Sequence, residues 1–130
     1  MATRKQIREA VKARISSAFT TVYSSWRNQV DPRDFPCAMV YFEGGQPEGV
    51  HGNYETEALI TVEIWEHDAS NLDDALDLLG NQTKALIEQD DTLAGVIDGM
   101  VLNNFDYDRD PDSFAGMLTL TFNVTYQDED

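Results

Sequence analysis

The sequence predicts an α+β domain in two layers, a mainly antiparallel four-stranded sheet with two main helices on one face, in the order α-β-β-α-β-β. Three observations predict it. Apolar residues recur at three- and four-residue steps near the start and again after Ser70. Two long segments, Tyr54 to Glu66 and Met117 to Tyr126, alternate between the faces of a strand. Stretches rich in Gly, Pro and Asp separate these segments. The 130 residues make one domain, long enough to bury a core without covalent staples.

The first helix is expected over residues 3 to 22, with Thr3 as N-cap and Ile7, Val11, Ile15, Ala18, Phe19 and Val22 as its buried stripe. Arg4, Arg8 and Lys12 step along a neighbouring stripe. Cations in a first turn oppose the helix dipole, so this stripe is a candidate for docking on a partner surface. Ser24 to Pro36 reads as connection, with Trp26 and Phe35 as apolar cover. Cys37 to Glu43 is a short apolar strand, and the Cys37 thiol reads as a buried structural group. Gly44 to Asn53 is a ten-residue loop holding four of the eight glycines, with His51 as an exposed loop residue.

In the next strand Ala58, Ile60, Val62 and Ile64 point to the core, and Glu57, Leu59, Thr61, Glu63 and Trp65 point away. Leu59 and Trp65 beside two carboxylates suit a half-buried surface completed by another subunit. The second helix starts at Ser70, which with Asp73 resembles a capping box, and runs to about Gln89. Thr92 to Gly99 is expected to hold a short helical turn. A terminal hairpin follows, read as strand to Phe105, acidic turn from Asp106 to Asp112, then a strand with Leu118, Leu120, Phe122, Val124 and Tyr126 inward. That last strand is roughly 40 Å long, more than a small domain needs. Its polar face, with that of the other long strand, is expected to stay open.

Charge is uneven. The net formal charge is −15, with +4 on residues 1 to 14 and −19 on the rest. A protein that neutralises duplex phosphates needs the opposite sign. No apolar run reaches membrane-span length, no signal core follows the charged start, and a single cysteine fits a reducing compartment, so a cytoplasmic protein is expected. The alternating aspartates do not make an EF-hand, because a loop from Asp106 places Pro111 and Met117 where Gly and Glu are required. Asp73, Asp74, Asp108 and Asp110 remain candidates for a weak divalent-cation site. No G-x-S-x-G elbow, zinc set or phosphate-binding loop is present, and no catalytic residue is assigned.

Four segments carry a resemblance: DFPCAMVYFEGG at Asp34 to Gly45, TEALITVEIW at Thr56 to Trp65, the helix from Leu72, and FDYDRDPD leading into LTLTFNVTYQ. In their order and spacing the chain resembles the minor tail protein U family, the tail terminators of lambda-like long-tailed phages. The resemblance implies a structural virion protein, not an enzyme. It implies a homo-hexameric ring on the tail tube that stops growth of tube protein and meets the head–tail connector protein. DNA passes through such a ring without specific binding, no membrane is involved, and no cofactor is required beyond Mg²⁺ promoting oligomerisation. Arg109, Tyr107, Trp65, Leu59, Arg4, Arg8 and Lys12 are then the candidate subunit-interface residues, in a virion tail assembled in the host cytoplasm. The alternatives are another small tail-tube or head-completion subunit, or an acidic ligand-binding domain.

Overall fold

The computed structural model describes residues 2–47, 55–68, 70–113 and 115–128. Two helices, α1 (Arg4–Ile15) and α2 (Leu72–Gln89), lie on one face of a sheet built from β1 (Thr21–Tyr23), β2 (Cys37–Pro47), β3 (Glu55–His67), β4 (Gly99–Asp110) and β5 (Ala115–Gln127). The strand order is β1-β2-β3-β5-β4. All neighbours are antiparallel except β1, which runs parallel to β2. The α+β class holds, and the expected four-stranded antiparallel sheet becomes a five-stranded mixed one.

The fifth strand comes from residues expected to be helical. Thr3 caps α1 as anticipated, with its Oγ1 accepting from Gln6 N and Gln6 Oε1 accepting from Thr3 N. The helix stops at Ile15, passes through a 3₁₀ turn at Ser16–Ala18, and gives way to β1. Thr20, Thr21 and Val22 are β-branched and favour extended backbone. Phe19 and Val22 are buried as expected, because a 3₁₀ turn followed by a strand brings the same two residues inward as a helix would. A cis peptide joins Phe35 to Pro36 just before β2.

The inward alternation of β3 and β5 is as the sequence predicts. Ala58, Ile60, Val62, Ile64, Leu118, Leu120, Phe122, Val124 and Tyr126 are all buried beneath α1 and α2. Each fully buried Ile or Phe contributes about 1.5–3 kcal/mol by leaving water. A glycine sets the α2–β5 spacing, since a Cβ on Gly80 would stand 2.6 Å from Leu118 Cδ2. No described helix is long and apolar enough to cross a membrane.

Four local expectations change. β2 continues through Gly44 to Pro47, so the expected Gly44 to Asn53 loop is strand at its start; its remainder, including His51, lies outside the described residues. The start of α2 has Asn71 as N-cap with no side-chain cap bond. Instead, the Asp68 carboxylate accepts from Ser70 N at 2.9 Å and Asn71 N at 3.0 Å, turning the chain before the helix begins. After α2, Asp90 accepts from Ala94 N at 2.8 Å, and Leu93 and Ala94 take left-handed backbone with φ 52° and 59°, so this stretch is a turn and not a helix. Buried Leu93 and Ile97 anchor it. Finally, β4 runs on to Asp110, so Asp106 and Asp108 sit on a strand and not in a turn. On an edge strand carboxylates stay hydrated, which removes the usual penalty for Asp in a sheet and blunts the edge.

The sheet face away from the helices is only partly open. Cys37, Met39, Thr61 and Glu63 on that face are buried. The Ser24 to Pro36 connection bends over it, with the Phe35 ring stacked on Trp65 at 6.3 Å and tilted on His67 at 5.4 Å. Tyr23 donates to Asp34 at 2.5 Å beside it. Among the described residues no segment covers the β5–β4 half of the face in this way.

Candidate assembly surface

The acidic strand β4 sorts its side chains by register. Phe105, Tyr107 and Arg109 pair with Leu120, Leu118 and Gly116, so they share the face on which the helices lie. Asp106, Asp108 and Asp110 pair with Thr119, Met117 and Ala115 and project from the other face. Arg109 is therefore not the counter-ion of the neighbouring aspartates. Its Nε donates to Asp73 Oδ1 at 2.8 Å and its Nη2 to Asp73 Oδ2 at 3.1 Å, a two-point contact with the first turn of α2. The guanidinium lies 4.7 Å from the Tyr107 ring centre, and the Tyr107 hydroxyl donates to Asp77. The hydrogen bond from Arg109 holds the Asp73 carboxyl below its ordinary range, so both partners are charged at neutral pH. With side chains 47% and 60% exposed, the pair orients the corner and contributes little to stability.

Of the four aspartates proposed for a cation, Asp73, Asp74 and Asp110 line one hollow of about 450 Å³ with Asp68 and Arg109, and Asp108 lies apart. Asp73 and Asp74 begin α2, Asp108 projects from the opposite sheet face, and Asp110 caps the hairpin by accepting from Asp112 N and Ser113 Oγ. Among the described residues no three His, Cys, Asp or Glu side chains gather as a metal site.

On the far face, Glu63 is 8% exposed at the centre of a polar network. Tyr41 donates its hydroxyl to Glu63 Oε1 at 3.0 Å, and Trp65 donates its indole N–H to Oε2 at 2.9 Å. Thr61 donates to Glu43 Oε1 at 3.1 Å alongside. Burial and then the Glu63 carboxylate push the Tyr41 phenol up from its ordinary value. Trp65, half-buried, is thus fixed from both sides, by Phe35 and by Glu63. Leu59, also half-buried, lines a hollow of about 630 Å³ with Glu43, Glu57, Asn103 and Asn123. The set of outward residues on β3 pointed to this face; the partners on β2 became visible only with the register.

The basic stripe of α1 divides. Arg8 donates its Nε to Ser24 O at 2.7 Å and so holds the chain after β1. Arg4 and Lys5 are exposed at the start of the helix, and Lys12 is half-buried beside Tyr23 and Arg27. Arg14, which has no separate role in the sequence pattern, reaches the last turn of α2 and donates its Nε to Leu86 O at 2.6 Å. A cation there meets the negative end of the helix dipole. Trp26, expected as apolar cover, is 61% exposed. Cys37 is fully buried, and that burial pushes its thiol up to about 12, far from a reactive thiolate.

No curated protein matches the chain. A chain in a solved virion of a native gene transfer agent (GTA) particle is similar to it, at a TM-score of 0.40 and 8% identity, over 90% of this chain and 84% of that one. The profile of the phage minor tail protein U family matches residues 2–126, nearly the whole fold described above. The chain belongs to the phage minor tail protein U family, and its role is that of a structural protein of the phage tail.

Proposed function

We propose that this protein is a tail terminator, a homo-hexameric ring that caps the tail tube, stops polymerisation of tube protein and forms the head–tail joining surface. Membership of the family supports the tail role. The observation that carries the finer reading is the half-face of the sheet that the described residues leave uncovered, where Asp106 of β4 stands beside Thr119, Asp108 beside Met117 and Asp110 beside Ala115. A wall of this kind facing a channel repels DNA phosphates and lets the genome pass without adhering. The formal charge of −15 also opposes assembly, and Mg²⁺ or salt weakens that repulsion.

Purified protein imaged by electron microscopy across a concentration series, with and without Mg²⁺, is expected to give six-fold rings, more abundant with Mg²⁺. Tubes or twelve-fold rings would transfer the protein to a tube or head-completion role, and a strict monomer throughout would sink the ring. Arg109→Glu places an acid against Asp73 and Asp77. It is expected to leave the melting temperature within a few degrees of wild type and to reduce ring formation at least tenfold. Normal rings from that variant would remove Arg109 from the interface.

A further inference from the structure

Strand β4 has two unlike halves, divided by a bulge. Its register with β5 shifts between Leu102 and Asn104. Before the shift Met100 is buried and Leu102 packs against the core. After it Asn104, Phe105, Asp106, Asp108, Arg109 and Asp110 are all exposed, and Tyr107 alone is partly buried against the core. β4 is also the end strand of the sheet, so among the described residues β5 is its one strand partner. β5 itself does not depend on β4, because every residue from Ala115 to Gln127 pairs with β3 on the other side. Among the described residues two side-chain contacts tie the outer half of β4 to the helix layer, Arg109 to Asp73 and Tyr107 to Asp77. They lie side by side, since two residues along a strand and four along a helix both advance about 6–7 Å.

We infer that residues 104–110 are a hinged arm, which swings off β5 as a unit about the bulge and is latched shut by the Arg109–Asp73 and Tyr107–Asp77 contacts. Opening the arm gives to water mainly backbone groups and side chains that already face it, so it costs far less than opening the sheet. Opening the inner half would also draw Met100 and Leu102 out of the core, and the motion therefore stops at the bulge. The latch sits towards the end of the arm remote from that hinge, where a contact restrains the swing most. Opening bares the backbone edge of β5 from Ala115 to Thr121, the residues the closed arm pairs with. A bared edge of that kind accepts an extended strand. The latch thus governs whether the sheet ends in a hydrated acidic strand or in a strand acceptor. None of this depends on the ring reading.

Amide hydrogen exchange of the full chain, followed by NMR at a concentration where native mass spectrometry shows monomer, tests this. In wild type the amides of residues 104–110 that donate to β5 are expected to share one rate, about tenfold or more above that of Met100, Leu102 and the β3 amides. Tyr107→Phe with Asp73→Asn removes both latch contacts while keeping the ring and the side-chain length, and is expected to speed the arm about fivefold further. Ile7→Val is the control, a mild change at a buried position of α1 away from β4. It is expected to speed the slow β3 amides, which exchange through global unfolding, and to leave the arm rate unchanged. An arm that exchanges at the β3 rate in wild type would overturn the inference, since β4 would then open only with the whole sheet. So would an arm that Ile7→Val speeds as much as it speeds β3. An arm rate that the double variant leaves unchanged would remove Arg109 and Tyr107 as the latch and overturn the inference as stated.

Discussion

Glu63→Ala is expected to lower stability by about 2–3 kcal/mol and the melting temperature by roughly 8–12 °C. Glu63 is 8% exposed, and its carboxyl oxygens accept from both Tyr41 and Trp65. Truncation leaves two donors on a partly covered sheet face with no acceptor. It also opens a gap between strands β2 and β5, because Glu63 stands between Met39 and Thr119 in the register. Glu63→Gln keeps the length and one acceptor oxygen, and its amide can donate to the Tyr41 oxygen, so its expected loss is smaller, about 1 kcal/mol. The ordering of the two variants is the informative result. A Glu63→Ala melting temperature close to wild type would mean that water satisfies both donors, and Trp65 would then owe its orientation to Phe35 alone.

The parts of this fold legible in the sequence are those where a side chain's local pattern and its burial have one solution. The alternation of Ala58, Ile60, Val62 and Ile64 fixes a face of β3 whatever lies beside it, and the same holds for β5. Strand β1 was hidden because Phe19 and Val22 fit helical spacing as well as they fit a 3₁₀ turn and a strand. The aspartates of β4 read as a turn because acids at alternate positions are costly inside a sheet; that they lie on an edge strand is a property of strand order, which no local window contains. Arg109 is the one cation among the aspartates from Asp106 to Asp112, yet its partner Asp73 is 36 residues away. Glu63 and Trp65 were placed on one outward face, but Tyr41 joins them only through the β2–β3 register. Trp26 is the opposite case. An aromatic in a connection is ordinarily cover, and here it is 61% exposed, which no local pattern around Trp26 reveals.

The pH dependence of stability is expected to be one-sided, with a marked loss above about pH 9. Four groups resist ionisation in the fold. Cys37 is raised to about 12 by burial, then by Asp34, Glu66 and Glu63. Tyr23 is raised to about 12, chiefly by its hydrogen bond to Asp34. Tyr41 is raised by burial and Glu63, and Tyr107 by its hydrogen bond to Asp77. Unfolding releases all four to their ordinary values near 9 for the thiol and 10 for the phenols. Above those values the unfolded chain holds fewer protons than the native one, so stability falls with rising pH. Their contribution is complete below about pH 8.5 and is lost as pH climbs towards 12 and beyond. On the acid side, Asp31, Asp68, Asp73 and Asp90 are held below their ordinary range by hydrogen bonds, so their contribution is present above about pH 4 and is lost as pH falls through their lowered values. Asp73 is exposed and the other three are only half-buried, so that limb is shallow. Melting temperatures are therefore expected to be level from about pH 6 to 8.5 and to drop steeply between about pH 10 and 12. Self-repulsion of an acidic chain would act in the same direction, and salt separates the two, because it screens surface charge but not a buried thiol or phenol. A drop abolished by salt would assign it to surface repulsion. Cys37→Ala isolates the earliest part: only the thiol ionises near pH 9, so this variant is expected to start lower at neutral pH yet lose nothing more until the tyrosines titrate.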